Sequence, residues 1–338
     1  MAEKTAGIGT SMKDVARLSG VSAMTVSRAM RSPASVAPAT LARVRAVVEA
    51  TNYVPNRVAG SLSSKRTTVV GLIVPSLSNA LYAATIQGIC DVLRRHDFQL
   101  MISDSGYSLE QEEKLINAYV AQRVCGIILH NTAHTARATQ ALKHSGIAVV
   151  ETGNLCRKPI DTLVSYSNYA AGKAMAEHLV ALRHRRIAFA SLPICYSDRL
   201  RERRRGFLAG LRASGVRITP RLILEVQPGL ESGSRALAHL VEAEPRLDAV
   251  FFTGDVLAAG ALFECQRRGI RVPSQLAIAA SDDNDLMRNI VPPLTTVRFP
   301  RYEIGVRAAE LVLARALGGP HHPKVVDLGF EVIRRGTT

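Results

Sequence analysis

The chain has 338 residues, a length that is large for one domain and suits two or three. Its 43 Lys and Arg outnumber its 28 Asp and Glu, and the formal charge of +15 favours a polyanionic partner. The longest apolar run, residues 69–74, is too short to span a bilayer, and no apolar stretch near the start resembles a signal peptide. The five cysteines lack C-x-x-C spacing, which is typical of a reducing compartment, so we expect a cytoplasmic protein.

Residues 11–31 predict a helix-turn-helix. Ser11 and Asp14 have the spacing of a capping box, which starts a first helix. The apolar side of that helix is expected to consist of Val15, Ala16 and Leu18. Gly20-Val21 supplies the turn, and residues 1–66 carry a net charge of +7. A basic segment with this pattern predicts DNA binding.

The second helix of this pair is expected to begin after the cap residue Ser22 and to run to about Met30, with Val26 and Met30 packing inward. Its N-terminal half is where a recognition helix presents side chains to base edges in the major groove. The residues left outside on this half are Ala23, Met24, Thr25, Ser27 and Arg28.

A third helix, over about 38–52, is expected to complete a three-helix head that covers residues 1–54. Its apolar stripe consists of Leu41, Val44, Val47 and Val48. Residues 55–66 are polar and basic and contain a glycine, so we expect a hinge helix or linker there, one that could fold on contact with DNA. Leu62 is the one large apolar residue in this polar, basic segment.

From residue 67 onward, short β-rich runs alternate with longer helical stretches, and the rhythm repeats in two blocks of comparable length. Strands are expected at 69–74, 99–103, 126–129 and 148–151, and then at 187–191, 222–226, 249–253 and 276–280. Buried parallel strands separated by helices predict two doubly wound α/β lobes, similar to periplasmic binding proteins, behind the all-α head. The first lobe is assigned 67–164 with about 296–323, and the second 165–295 with about 324–338. The cleft between the lobes is the expected small-molecule site.

Motifs for catalysis, cofactors or metals are missing from the sequence. There is no G-x-x-x-x-G-K-[ST] loop and no G-x-S-x-G elbow, and His130 and His134 straddle a strand end and a loop. We therefore expect no enzyme activity, no cofactor and no metal. The alternative from another class is a doubly wound sugar enzyme that carries an accessory DNA-binding head.

Short motifs occur in both modules of the chain. The head contains Asp14-Val15-Ala16, Gly20-Val21-Ser22 and Thr25-Val26-Ser27-Arg28, and the core contains His184-Arg185-Arg186-Ile187-Ala188 and Pro292-Pro293-Leu294-Thr295-Thr296-Val297. Through these motifs the chain resembles the LacI/GalR repressors over essentially its whole length. Within that family it resembles the gluconate-utilisation repressors most, through residues 24–28, 261–267 and 327–330.

The resemblance implies a homodimer whose paired heads bind a near-palindromic operator. The family's hinge residues correspond to Asn56, Arg57, Ala59 and Leu62, of which Leu62 would wedge between base pairs in the minor groove. Packing of Leu62 against the core is the alternative. In the head, Ser22 and Thr25 would contact phosphates, Ala23 and Met24 would face thymine methyl groups, and Arg28 would reach guanine or phosphate.

The resemblance also implies an effector site, carried over by position. It places there Arg203, three residues before Gly206-Phe207, and Asp282, after the strand at 276–280. Tyr82 would supply a ring wall, and Glu151 would face the cleft from a strand end. A solvated helix face remains the alternative for Arg203, and a helix cap for Asp282. Gly254 stands where the family usually has an asparagine.

These observations predict a repressor of sugar-acid catabolism that a small sugar acid, such as gluconate or its phosphate, releases from its operator. Arginine can bind a carboxylate or phosphate, and aspartate can accept hydrogen bonds from vicinal hydroxyls. The alternative within binding proteins is a regulator that responds to a different sugar or uses its ligand as a corepressor.

Overall fold

The computed structural model describes residues 10–54, 67–319 and 325–338. The chain divides into two compact units, a head and a core, with the boundary between Thr67 and Thr68. No helix within the described ranges is both long and apolar enough to cross a membrane. The predicted hinge residues Asn56, Arg57, Ala59 and Leu62 lie outside the described residues.

The head contains the three predicted helices, α1 (Met12–Ser19), α2 (Ala23–Arg31) and α3 (Pro38–Thr51). The predicted capping box is present, because the Asp14 backbone N–H donates to Ser11 Oγ (3.3 Å) and the Ser11 N–H donates to Asp14 Oδ2 (3.0 Å). Gly20 ends α1 with a φ of +65°, a conformation that glycine adopts without a Cβ clash. These local signals place α2 directly after a tight turn.

The small core of the head is formed mainly by Val15, Ala16, Val26, Ala29, Val44 and Tyr53. The prediction that Leu18 faces this core is wrong, because its side chain is 58% exposed. The inward side of α1 instead continues from Val15 to Ser19, one helical turn later, where the buried Ser19 hydroxyl donates to the Val15 carbonyl at 2.6 Å.

The first lobe of the core is a six-stranded parallel sheet in the order β11-β5-β4-β3-β1-β2. Its strands are β1 (Val69–Val74), β2 (Gln99–Asp104), β3 (Gly126–Leu129), β4 (Ala148–Glu151), β5 (Thr162–Ser165) and β11 (Val325–Asp327). Its helices are α4 (Ala83–Arg95), α5 (Leu109–Ala121), α6 (Ala136–Ser145) and α12 (Arg301–Ala316). Val70 and Leu72 of β1 pack towards α4 and α12, whereas Ile73 packs towards α5 and α6, so both faces of the sheet are covered.

The second lobe has the sheet order β12-β10-β9-β8-β6-β7, with only the edge strand β12 antiparallel to its neighbour. Its strands are β6 (Ile187–Ser191), β7 (Ile223–Glu225), β8 (Ala249–Phe252), β9 (Ala277–Ser281), β10 (Thr295–Arg298) and β12 (Glu331–Ile333). Its helices are α7 (Asn168–Ala181), α8 (Asp198–Ala213), α9 (Leu230–Ala243), α10 (Asp255–Arg268) and the short α11 (Asp285–Asn289).

The points at which the chain passes between the lobes differ from the predicted boundaries. Thr296 of β10 is aligned with Ala280 of β9, so the segment assigned to the first lobe from 296 begins inside a strand of the second sheet. Val325 is aligned with Leu163 of β5, so the segment assigned to the second lobe from 324 first adds a strand to the first sheet. Strands of three or four residues, such as β10 and β11, are too short to carry a periodicity from which these boundaries could be read.

Two glycines hold α7 and α8 in close contact. A Cβ atom built at Gly172 of α7 would lie 2.0 Å from the carbonyl oxygen of Arg203, and one built at Gly206 of α8 would lie 1.9 Å from that of Tyr169. Any larger residue at either position would force the helices apart. The short distance between α7 and α8 therefore sets the position of Arg203, on α8, relative to the cleft.

Candidate functional site

A cavity of about 1190 Å³ lies between the lobes. The residues in its wall follow strands of both sheets at their carboxyl ends, where open α/β sheets bind ligands. From the first lobe come Tyr82, His130 and Tyr166, and from the second come Arg199, Arg203, Thr253, Asp255 and Asp282. Phe299 and Arg301 stand on the segment between β10 and α12. This cavity lies in the cleft between the lobes, where the sequence places the small-molecule site.

Arg203 is buried at the cavity wall, with only 4% of its surface exposed. Its Nη1 donates to the Thr253 carbonyl (3.1 Å) and to Ser281 Oγ (2.7 Å), and its Nη2 donates to Asn168 Oδ1 (2.7 Å). Its Nε is buried without a hydrogen-bond partner among the described residues. The guanidinium is thus held rigidly and is not part of the solvated face formed by exposed residues such as Arg201 and Arg205.

Two further buried arginines join Arg203, and neither is expected there from the sequence. Arg199 donates from Nη1 to the His130 carbonyl (3.0 Å) and from Nη2 to Tyr82 Oη (3.3 Å). Arg301 forms an ion pair with Asp282, and its guanidinium lies 5.3 Å from the Phe299 ring centre. The spacing could have indicated Arg199, since it precedes Arg203 by one helical turn and shares its face. No local pattern marks Arg301.

Asp282 lies in the cavity wall as predicted, in an unusual backbone conformation. Its φ is +108°, and that of Asp283 is +55°, values that residues other than glycine rarely adopt. The Asp282 N–H donates to the Val297 carbonyl at 2.9 Å, which ties this turn to β10. The helix-capping role is taken by Asn284, whose side chain accepts from the Leu286 N–H at 3.0 Å. The Asp282 carboxylate is therefore available to the cavity together with Arg301.

Tyr82 also stands in the cavity wall, with its ring edge-on to His130 at a centroid distance of 4.8 Å. Burial lowers the pKa of His130 well below its ordinary value, and the nearby cation Arg199 adds to the effect, so His130 is neutral. Its Nδ1 bonds with Thr152 Oγ1 (2.9 Å), while its Nε2 is buried with no hydrogen-bond partner in the described structure. This nitrogen is a polar atom without a protein partner at the edge of the site.

Glu151 does not reach the cavity, so its prediction as a cleft residue is wrong. Its side chain is buried and accepts hydrogen bonds from the Ile160 N–H and from His134 Nε2 (3.3 Å). His134 Nδ1 is 2.6 Å from Glu112 Oε1. Burial opposes protonation of His134, but the hydrogen bonds to Glu112 and Glu151 outweigh it and raise its pKa to about 9. Glu151 thus belongs to a buried ion cluster within the first lobe.

Five arginines and six carboxylates border the cavity, and ion pairs join Arg301 to Asp282, Arg288 to Asp283 and Arg298 to Glu331. Burial, assisted by the charge of Asp282, raises the pKa of Asp255 to about 6, so this group carries less than its full charge near neutral pH. Arg199 and Arg203, both buried, form no ion pair with a carboxylate among the described residues. Gly254 leaves open space, because a Cβ built there has no neighbouring atom within 4 Å among the described residues. The site can therefore hold an anion that also carries hydroxyl groups.

The predicted DNA-contact residues of the head lie together on the N-terminal half of α2 and at its cap. Ser22 accepts from the Thr25 N–H at 3.1 Å, and the two hydroxyls are 2.9 Å apart. Met24 is 73% exposed, and Arg28 is exposed, whereas Ala23 is half-buried. Ser27 also stands on this half of the helix. An exposed apolar side chain beside a helix N-terminus suits contacts with both methyl groups and phosphates.

Comparison with known proteins decides the family. Residues 11–56 match the family described as bacterial regulatory proteins of the lacI family, and residues 176–338 match a periplasmic binding protein-like domain. The HTH-type transcriptional regulator GntR of Escherichia coli (strain K12) is 32% identical over 326 residues, which cover 96% of this chain and 98% of that protein. The chain belongs to the LacI family. The GntR regulator of Pseudomonas aeruginosa is 36% identical, over 97% of this chain and 95% of its own length.

Solved structures of LacI-family regulators agree with this assignment. A LacI-family transcriptional regulator from Silicibacter pomeroyi is 33% identical, with a TM-score of 0.90 over 97% of this chain and 99% of that one. The transcription regulator GntR from Chromobacterium violaceum is 32% identical, with a TM-score of 0.76 over 80% and 98%. All of these relatives are named as regulators of transcription and not as enzymes. This confirms the predicted fold and the prediction of a DNA-binding regulator with an effector-binding core.

Proposed function

We propose that this LacI-family regulator acts in the cytoplasm as a homodimeric repressor, and that a small sugar acid, such as gluconate or its phosphate, releases it from a near-palindromic operator. The observation that carries the choice of effector is the set of three buried guanidinium groups, those of Arg199, Arg203 and Arg301, around one cavity. A neutral sugar would leave Arg199 and Arg203, which form no ion pair among the described residues, without a counter-charge, which is costly in a buried site.

The polar groups of the cavity suit the two ends of such a ligand. The unpaired Nε atoms of Arg203 and Arg301 can donate to a carboxylate or phosphate, which arginine binds through charge-assisted hydrogen bonds. Asp282 can accept hydrogen bonds from hydroxyl groups, and the unpaired Nε2 of His130 adds a further polar contact. The similarity to regulators named GntR and IdnR supports the same class of ligand.

On the DNA side, we assign phosphate contacts to Ser22 and Thr25, apolar base contacts to Ala23 and Met24, and a guanine or phosphate contact to Arg28. The hinge 55–66, with Asn56, Arg57, Ala59 and Leu62, is assigned to the minor groove. The effector would act on an equilibrium between two arrangements of the lobes, only one of which favours operator binding. It would have to bind one arrangement more tightly than the other, because only a difference in affinity can shift an equilibrium.

The homodimer has a candidate interface on the second lobe. The side chains of Phe263, Leu286 and Val291 are exposed on or beside α10 and α11, and Phe263 and Val291 line a small apolar recess between α10 and the residues after α11. Exposed apolar side chains that cluster in this way are typical of a surface that is covered in the assembled protein.

The test begins with selection of operator sequences from random duplexes by the full-length protein. Binding to the selected operator is then titrated with gluconate, phosphogluconate, glucose and sorbitol. We expect the two acids to weaken binding and the two neutral compounds to have no effect. Gluconate and its phosphate leaving binding unchanged at millimolar concentration would contradict the proposal. Tighter binding would instead indicate a corepressor, and a response to a neutral sugar alone would indicate a different effector.

Matched variants connect the response to the cavity. Arg203→Met is expected to abolish the response to acids while operator binding remains, because it removes a cation from the cavity wall. Arg201→Met removes the same charge from the exposed side of α8 and is expected to respond like the unaltered protein. Recovery of the ligand intact after long incubation would exclude the alternative of a sugar enzyme.

A further inference from the structure

The positive charge of the core is concentrated in four connecting segments of the second lobe. These segments are 182–186, 212–222, 242–248 and 264–276, which lead from α7, α8, α9 and α10 into the next strands. They contain ten arginines and four carboxylates, an excess of six positive charges. Residues 67–338 as a whole carry an excess of eight, so the remainder of the core is close to neutral.

The topology brings the four segments to one surface. β7, β6, β8 and β9 are neighbouring parallel strands, and each segment enters one of them at its amino end. With strands about 4.8 Å apart, the four entry points span on the order of 15 Å. We call this surface, formed by the four segments, the arginine edge. It lies at the opposite end of the sheet from the cavity, which adjoins the carboxyl ends of the strands.

The carboxylates of the arginine edge are already engaged. Glu264 pairs with Arg267 and Arg268, and Glu242 also pairs with Arg268. Glu244 pairs with Arg221, and Asp248 accepts from the backbone N–H groups of residues 185 and 186. The exposed arginines left without an ion pair in the described chain are Arg183, Arg185, Arg186, Arg212, Arg217, Arg246 and Arg271.

Stabilisation of helix ends does not account for this surface. A cation in the last turn of a helix interacts favourably with the helix dipole, and this explains Arg212, Arg267 and Arg268. It does not explain Arg186, Arg217 or Arg246, which lie beyond the helices in the connections. The arginine edge contains none of the large apolar side chains that are exposed on the described surface, although Phe263 of α10 lies at its margin. Surfaces that bind proteins usually have an apolar centre.

We propose that the arginine edge is an accessory surface for the phosphate backbone of duplex DNA, separate from the head. Arginine forms the charge-assisted hydrogen bonds that phosphates accept, and such contacts need neither base recognition nor apolar anchors. A duplex has one phosphate per 1.7 Å of its axis when both strands are counted, so a length of duplex equal to this width carries about nine phosphates. The edge would increase the affinity of the regulator for DNA outside its operator.

The test compares the salt dependence of binding to a 60-base-pair duplex without an operator, using the full-length protein. The variant R186Q/R217Q/R246Q/R271Q removes four unpaired charges from the arginine edge. Since each phosphate contact contributes about 0.9 to the slope of log K against log salt concentration, we expect the slope to fall by about 2 to 4 per protomer. Thermal unfolding and ligand-dependent release from the operator should remain as in the unaltered protein.

The matched control K114Q/R137Q/K143Q/R157Q removes four exposed charges from the first lobe, where the remaining charge is close to balanced. It has the same net charge as the edge variant, and we expect its slope to change by less than about 1. If the slope changed equally in both variants, the net charge of the protein would explain the change, and the proposal would be overturned. An unchanged slope in the edge variant would also overturn it and would leave an acidic protein as the partner to examine.

Discussion

Replacing Arg301 by methionine is expected to destabilise the core strongly, because it leaves the carboxylate of Asp282 without its ion-pair partner. Arg301 and Asp282 are both largely buried, and Arg301 also packs against Phe299. Removal of one member of a buried pair typically costs about 3–5 kcal/mol, since the other charge stays behind in a poorly solvated place. Methionine preserves much of the side-chain volume, so most of this loss should be electrostatic.

A double-mutant cycle separates the ion pair from packing. Asp282→Asn is suitable because asparagine tolerates a positive φ, and Asp282→Asn/Arg301→Met leaves no unpaired charge. We expect the double variant to lose less free energy of unfolding, measured with urea, than the sum of the two single variants, by at least about 1 kcal/mol.

A loss below about 1 kcal/mol for Arg301→Met, or additive losses across the cycle, would refute the reasoning.

Three further predictions concern other parts of the core. Asp198 at the start of α8 accepts hydrogen bonds from Thr132 and from Asn154 Nδ2 (3.2 Å), both in the first lobe. Asp198→Ala should therefore shift the equilibrium between the arrangements of the two lobes and change the effector concentration for half-maximal release by about tenfold. The same acids should remain active. An unchanged release curve would contradict this role. Val291 is 84% exposed beside α11, and Val291→Asp should convert the dimer to monomers in light scattering and weaken operator binding; a dimer that persists would point to another interface. The pKa of His134 is raised from 6.5 to about 9 in the folded state. Protonated His134 therefore contributes about 3 kcal/mol to the free energy of unfolding, fully below pH 6.5, and this contribution is lost as the pH rises to 9. His134→Gln should be less stable at pH 6 and show a flatter dependence of stability on pH, which urea unfolding at several pH values would measure.

The sequence predicts the helices of this protein well because they carry strong local signals. The cap residues Ser11 and Ser22 and the left-handed Gly20 occupy the predicted positions, and the buried strands 69–74 and 126–129 match their apolar runs. The three-residue strands β11 and β12 have no such run, and each depends on a partner far away in the chain.

The residues of the cavity wall are likewise predictable only where a pattern along the chain marks them. Arg203 and Asp282 were predicted from their places in the resembled pattern, and both border the cavity. Glu151 also ends a strand, but a backbone N–H and a histidine occupy its carboxylate within the first lobe. The contribution of Arg301 could not be predicted, because it arises from the pairing of two residues on different elements.

The open position at Gly254 has a consequence for how the range of ligands could change. Its φ of −160° is accessible to any residue, and no described atom lies within 4 Å of the position that a Cβ atom would take there. A single substitution can therefore place a new hydrogen-bonding group in the cavity without displacing the buried arginines or their partners. Selectivity at this position can evolve in one step, while the rigid framework of the site remains as it is.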